Sequence, residues 1–153
     1  LLKSIHCRYR VTALNQAFMK VAALTMIIPL KYIRLFVDAA GLSHFQDCTL
    51  PLATRDFAPP TTPLEATDFI PAMGFAVVRF AANWSGPWHA SPYRQWFFMM
   101  SDSITVTAGN GTARTLNTGD AIFLDDQGTK GHLTRVKGDQ EVIAVGVRVA
   151  DAM

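Results

Sequence analysis

The sequence is poor in cysteine and in charged residues, and both shortages exclude classes of protein. Two of its 153 residues are cysteine, Cys7 and Cys48, which are too few for a disulfide scaffold and do not form a C-x-x-C pair. Charged residues make up 17% of the chain and apolar residues 50%, which excludes an intrinsically disordered protein. The length suits one domain with a single hydrophobic core.

Common catalytic and phosphate-binding motifs are also lacking. The chain contains no G-x4-G-K-[ST], G-x-G-x-x-G, H-E-x-x-H or G-x-S-x-G segment. No repeat with a period of about 20–50 residues is present. The sequence therefore gives no indication of a P-loop nucleotidase, a dinucleotide-binding fold, a helical zinc protease or a repeat protein.

Basic charge is concentrated near the N-terminus. Residues 1–31 carry five Lys or Arg and no acid, whereas residues 32–153 carry nine basic and twelve acidic residues. The formal net charge of +2 therefore combines a basic start with a mildly acidic body. Because affinity for nucleic acid depends on basic surfaces, we expect no nucleic-acid partner for the body.

Residues 1–30 are predicted to be an appendage to a domain that covers residues 31–153. The apolar run Val21–Leu30 is about half the length that spans a bilayer as a helix. Three interpretations are open: a short amphipathic helix packed on the domain, upstream sequence before a start at Met19 or Met26, or a targeting segment. Since no A-x-A cleavage site follows the run, we expect a cytoplasmic protein that does not interact with membranes.

Beyond the appendage, short β-branched and aromatic runs alternate with turn signals such as Asn110-Gly111. The predicted strands are Lys31–Val37, Ser43–Leu50, Gly74–Ala81, Gln95–Met100, Ser103–Ala108, Thr112–Leu116, Ala121–Leu124, His132–Val136 and Glu141–Val149. Residues 51–66 contain four prolines and are predicted to form an irregular connector. Many short strands without a convincing internal helix predict an all-β sandwich or barrel.

The segment from residue 89 to residue 131 resembles the motifs of small single-domain cupins, G-x5-H-x-H-x3,4-E-x6-G and G-x5-P-x-G-x2-H-x3-N. His89 stands at the first histidine, Ser91 replaces the second, and Gln95 stands where the glutamate falls. Thr118-Gly119-Asp120 matches the turn that opens the second motif, and His132 follows two residues later than the pattern. The resemblance implies a cupin-type double-stranded β-helix, or jelly-roll barrel.

His89, Gln95 and His132 are the candidate metal ligands. Residues of equal parity in an extended strand point to the same face, so His89 and Gln95 would share one face and meet His132 from another strand. Such a set could hold one divalent transition metal (Fe, Ni, Cu, Zn or Mn) with positions open for substrate. The alternative is a metal-free barrel in which these side chains are satisfied by hydrogen bonds.

Four further residues are candidates for the ligand site. Tyr93 is a possible proton donor, while Trp88 and Phe97 could line an apolar pocket, although most barrel aromatics belong to the core. Arg79 could point inward to bind ligand. The alternate residues of its strand, which point to the opposite face, suit the core equally well.

If Gln95 points inward, Trp96, Phe98 and Met100 form an outward apolar row that needs a cover. The second sheet, the N-terminal segment or a partner subunit could supply it, and similarity to cupins leads us to expect a homodimer.

Three functions remain open at this point. The protein could be a metal-dependent enzyme that acts on a small organic molecule, a non-catalytic module that binds such a ligand, or a structural dimer with a vestigial pocket. Fold alone does not choose among them, since one fold serves many chemistries.

Overall fold

The structure, a computed structural model, describes residues 29–150, so the interpretations of the appendage lie outside it apart from Pro29 and Leu30. Its strands are β1 (Leu30–Val37), β2 (Ser43–Leu50), β3 (Ala53–Arg55), β4 (Leu64–Ala66), β5 (Ala72–Phe80), β6 (Gln95–Met99), β7 (Ser103–Ala108), β8 (Ala113–Asn117), β9 (Ala121–Asp125), β10 (His132–Val136) and β11 (Val142–Val149). None of residues 29–150 belongs to a helix long and apolar enough to cross a membrane.

Two sheets enclose the core. The larger has six strands in the order β2-β1-β9-β6-β11-β5, and the smaller has three in the order β10-β7-β8. Neighbouring strands are antiparallel except β1 and β9, which run parallel. Leu35, Ile122 and Leu124 of the larger sheet pack in one buried cluster with Ile104 and Val106 of the smaller sheet. The predicted all-β jelly-roll architecture is confirmed.

The alternation along β6 has the predicted direction. Phe97 and Met99 point toward the core between the sheets. Trp96 packs on the opposite face against Phe123 and Tyr32, in a second apolar cluster. Because successive side chains of a strand point to opposite faces, this parity also places Gln95, the first residue of β6, on the inner face.

The prediction of an irregular connector at residues 51–66 is wrong in part. Two three-residue strands, β3 and β4, pair with each other inside it. Pro51 and Pro63 lie just outside these strands, and Pro59 and Pro60 lie in the turn between them. Proline lacks the N–H needed inside a ladder but is tolerated at its ends, so four prolines do not prevent so short a hairpin.

Candidate functional site

His89 and His132 lie side by side. The N–H of His89 donates to the carbonyl of His132 at 3.0 Å, and the N–H of His132 donates to the carbonyl of His89 at 2.9 Å. The two ring centroids are 4.6 Å apart. His132 begins β10 and is buried, whereas His89 belongs to the exposed loop before β6. This one backbone bridge therefore brings both predicted histidine ligands together.

Both histidines line a cavity of about 150 Å³ between the two sheets, which we call the histidine cavity. Gln95 and Phe97 also line it, so four of the predicted site residues meet there. Most of the remaining wall is aliphatic or aromatic, from strands of both sheets. A cavity of about this volume holds a molecule the size of benzene.

Asp126 orients the ring of His132. This aspartate is fully buried, and its Oδ2 lies 2.7 Å from Nδ1 of His132 while its Oδ1 accepts the backbone N–H of Ser91 at 3.2 Å. Burial by itself raises the pKa of the Asp126 carboxyl, but hydrogen bonds from His132 and Ser91 outweigh it and hold that pKa below its usual value. An ionised carboxylate only accepts hydrogen bonds, so His132 carries a proton on Nδ1.

The ring of His89 is oriented in a similar way by the backbone. Its Nδ1 lies 2.9 Å from the carbonyl oxygen of Pro87, which can only accept, so this Nδ1 also carries a proton. Within residues 29–150 the structure gives the Nε2 atoms of His89 and His132 no hydrogen-bond partner. In the neutral imidazole each Nε2 then holds a free lone pair, which is the form that binds metals or accepts a proton.

The remaining polar groups of the cavity wall are Gln95, Ser91 and Thr134. Ser91 is buried, and its hydroxyl makes no hydrogen bond of normal geometry within residues 29–150, although it lies close enough to Asp126 to help lower the pKa of that carboxyl. A buried hydroxyl on a cavity wall is in a position to form a hydrogen bond to a bound molecule. Residues 29–150 contain no group of three or more His, Cys, Asp or Glu side chains that could hold a metal ion. The predicted set is of a different kind, because its third donor is the amide of Gln95.

Tyr93 and Trp88 lie outside the histidine cavity. Tyr93 lines a neighbouring cavity of about 380 Å³, which we call the side cavity, and its ring carries the guanidinium of Arg148 at 3.7 Å from the centroid. Trp88 is exposed, with the ammonium of Lys130 at 4.7 Å from its ring centroid. The proton-donor role of Tyr93 and the ligand-binding role of Trp88 stay predictions.

Arg79 does not line the histidine cavity. Its side chain is 70% exposed and lies 3.6 Å from the carboxylate of Glu141. Val78 and Phe80 line the cavity instead, so the inner face of β5 is formed by the set of alternating residues that does not contain Arg79. Both parities of this strand are apolar in sequence, and only the packing of the two sheets distinguishes them.

Asp126 is the site residue that the sequence does not reveal. As adjacent residues, Asp125 and Asp126 point in opposite directions: Asp125 accepts hydrogen bonds from Arg34 and Arg94, and Asp126 binds His132. The sequence feature that accompanies this residue is an aspartate six residues before a histidine, in a loop that contains two glycines. That pattern is common in turns and does not by itself predict a site.

No family model and no curated protein matches the sequence. Among solved structures, the chain is similar to the Cnp3 cupin domain of Schizosaccharomyces pombe, with 12% identity over 81% of this chain and 90% of that chain, and a TM-score of 0.42. It is also similar to a structure described as ethanolamine utilization protein Q of Salmonella typhimurium (14% identity, 80% and 97% coverage, TM-score 0.41) and to a protein of Neisseria meningitidis (13% identity, 92% and 100% coverage, TM-score 0.38). The assignment of the fold rests on the strand order and register, which are consistent with a cupin-type barrel.

Proposed function

We propose that the histidine cavity binds one divalent transition metal together with a small organic molecule. The observation that supports this most is the orientation of the two imidazoles: Nδ1 of each is committed to an acceptor, which leaves Nε2 of each available. His89, His132 and Gln95 would hold the ion. When bound, such an ion acts as a Lewis acid or as an oxygen-activating centre.

The donor set suits a borderline transition metal such as Fe, Ni, Cu or Zn. Two imidazoles and an amide are neutral, and imidazole favours these metals over Mg²⁺ or Ca²⁺. The glutamate of the motif is replaced by Gln95, which is neutral. The buried carboxylate of Asp126 is hydrogen-bonded to His132 and therefore supplies a negative charge next to one of the proposed ligands. Hydrogen bonds of this kind from a carboxylate to a ligating histidine raise the basicity of the ligand.

The ligand that fits beside this site is small and mainly apolar. Phe97, Ile122 and Leu124 form part of the wall, and the cavity volume of about 150 Å³ limits the bound part to roughly the size of one six-membered ring. The hydroxyl of Ser91, on the cavity wall, offers a hydrogen bond to one polar group of that ligand. Because His89 lines the cavity and is exposed to solvent, we expect the ligand to enter beside it.

Replacing His89 and His132 by alanine is expected to abolish stoichiometric metal binding. Each substitution removes one of the two imidazole ligands, and we expect each single variant to lose at least about 100-fold in affinity for Zn²⁺ or Ni²⁺. The measurement is elemental analysis of protein purified without added metal or chelator, followed by titration of the stripped protein with each ion.

His44→Ala is the matched control for this experiment. His44 lies away from the cavity, with Nε2 on Asp38 at 2.6 Å and Nδ1 on the side-chain amide of Asn110 at 2.9 Å, so neither nitrogen is available. We expect this variant to bind metal as the parent protein does. If the variant in which both His89 and His132 are replaced by alanine still binds metal stoichiometrically, the proposed site is refuted.

A metal-free ligand-binding barrel is the second candidate function. It is favoured by the neutral Gln95 amide at the position of the motif glutamate, because an amide can both donate and accept hydrogen bonds to a ligand. The same titration separates the two functions: the second predicts that the stripped protein takes up no ion while it still binds small apolar molecules.

We also propose that two copies of the chain associate through β5. Its outer face exposes Met73, Phe75 and Val77 by 63%, 76% and 65%, and Arg79 is the only charged residue in its nine. The other edge strands of the two larger sheets are protected: β2 and β8 carry charged or polar residues, and β10 forms backbone bridges with Ser85 and His89. A long apolar edge strand is a template for pairing, and antiparallel pairing with a second β5 satisfies both copies symmetrically.

Val77→Lys is expected to convert the dimer into a monomer. A charge on an exposed edge opposes pairing, and we expect the dissociation constant of the dimer to rise at least about tenfold. Sedimentation velocity of the full chain over a wide range of concentrations measures this. Val77 lines neither cavity, so the fold and the ligand site are expected to survive. Thr115→Lys on β8 is the control, and an equal effect of both variants would exclude β5 as the interface.

A further inference from the structure

Arg148 has no carboxylate partner among residues 29–150, although it is partly buried. Most other arginines of these residues contact an acid. They are Arg34, Arg55, Arg79, Arg94 and Arg114. The guanidinium of Arg148 lies instead over the ring of Tyr93, at 3.7 Å from the centroid. The face of the guanidinium is thus occupied by the ring, and no carboxylate of residues 29–150 neutralises its charge.

The side cavity borders the histidine cavity. Gln95 and Phe97 line both cavities, and Arg148 is the cross-strand partner of Gln95 in the β11–β6 pair. On the other side of β11, Arg148 pairs with Gly74 of β5, which has no side chain to fill the space beside it. The side cavity, of about 380 Å³, therefore extends from the guanidinium to the wall of the histidine cavity.

The stacked arrangement prepares the guanidinium for a planar anion. A guanidinium can donate two parallel N–H bonds to one carboxylate through its edge, while its face packs on an aromatic ring. Stacking on Tyr93 holds the plane of Arg148, so less conformational freedom is lost when an anion binds. Neither Tyr93 nor Gln95 carries a negative charge that competes with the anion.

We propose that Arg148 binds the carboxylate of the small molecule whose apolar part occupies the histidine cavity. The ligand class is then a small monocarboxylic acid with an apolar body about the size of one ring. This assignment rests on the proposed function, because the histidine cavity must hold the apolar part. It gives the side cavity a role in selecting acids over their neutral analogues.

The test compares phenylacetate with phenylacetamide, its neutral isostere, by calorimetric titration of the full chain. Phenylacetate is expected to bind at least about tenfold more tightly than the amide to the parent protein. Arg148→Met, which keeps an unbranched side chain against Tyr93, is expected to remove this preference. Arg135→Met deletes the same charge from an exposed position outside both cavities and is expected to keep it.

The possible results separate the two proposals. Equal affinity for acid and amide in the parent protein, or a preference that survives in Arg148→Met, overturns the role of Arg148 and leaves the histidine cavity as a ligand site. If neither probe binds to the parent protein, both the role of Arg148 and the role of the histidine cavity as a site for a small apolar ligand are overturned. If Arg148→Met fails to fold by circular dichroism, Arg148→Lys replaces it: the loss of bidentate geometry is expected to reduce the preference, and an unchanged preference would refute the assignment.

Discussion

Gly131→Ala is expected to lower the free energy of unfolding by roughly 3–5 kcal/mol, a large part of the stability of an ordinary domain. Gly131 has a φ of +78°, a conformation that strains any residue with a side chain. In addition, a Cβ atom at this position would overlap the carbonyl group of His89 and the backbone nitrogen of Ala90. These backbone atoms cannot move away without breaking the hydrogen bonds that hold His89 beside His132.

Gly128→Ala is the matched control for this substitution. Gly128 lies in the same loop with a φ of +71°, but nothing lies within 4 Å of the position of an added Cβ. We expect a cost of about 1 kcal/mol there, from backbone strain alone. Chemical denaturation followed by circular dichroism measures both variants. If alanine at position 131 costs no more than alanine at position 128, the close approach of this loop to His89 does not exist in the protein.

Asp126→Asn is expected to weaken metal binding by about 10- to 100-fold and to lower the free energy of unfolding by about 2–3 kcal/mol. An amide has one oxygen, which can still accept the N–H of Ser91, but its NH₂ group would then face Nδ1 of His132. His132 must move its proton to Nε2 to accept that hydrogen bond. The lone pair that the proposed metal or ligand needs is thereby lost.

The neighbouring Asp125→Asn serves as the control. Asp125 binds Arg34 and Arg94 on the outer face of the sheet, so its substitution is expected to reduce stability without changing metal affinity. Nitrogen-15 NMR of the imidazole of His132 reports the tautomer directly, with or without a metal. A His132 ring that keeps its proton on Nδ1 in Asp126→Asn would contradict the positioning role of Asp126.

The fold class could be predicted from the sequence because strands leave a local signature. Alternating apolar and polar residues between turn signals indicated nine of the strands, and β2, β7 and β10 have the predicted bounds. The short strands β3 and β4 could not be predicted, because three residues are too few to show an alternation of apolar and polar side chains. They form because residues 53–55 can pair with residues 64–66 across the turn, which is a property of the folded chain.

The candidate site was predictable only where a motif marks it. His89, Gln95 and His132 occupy motif positions, and Phe97 follows Gln95 in parity, so these four could be expected to share one cavity. Asp126 and Arg148 match no motif. Asp126 binds Ser91 from 35 positions away, and Arg148 faces the side cavity because β11 pairs with β6 in one particular register.

By itself, the sequence determined that the chain forms many short strands, that it lacks a disulfide framework, and that two of its four histidines fall near the ligand positions of a cupin pattern. Only the tertiary structure decided that Val78 rather than Arg79 lines the cavity, that Asp126 sets the tautomer of His132, and that Arg148 lacks an acidic partner among residues 29–150. The physical reason is that strand formation follows from side-chain periodicity along the chain. The electrostatics of a site depend instead on which side chains two packed sheets bring within a few ångströms of each other.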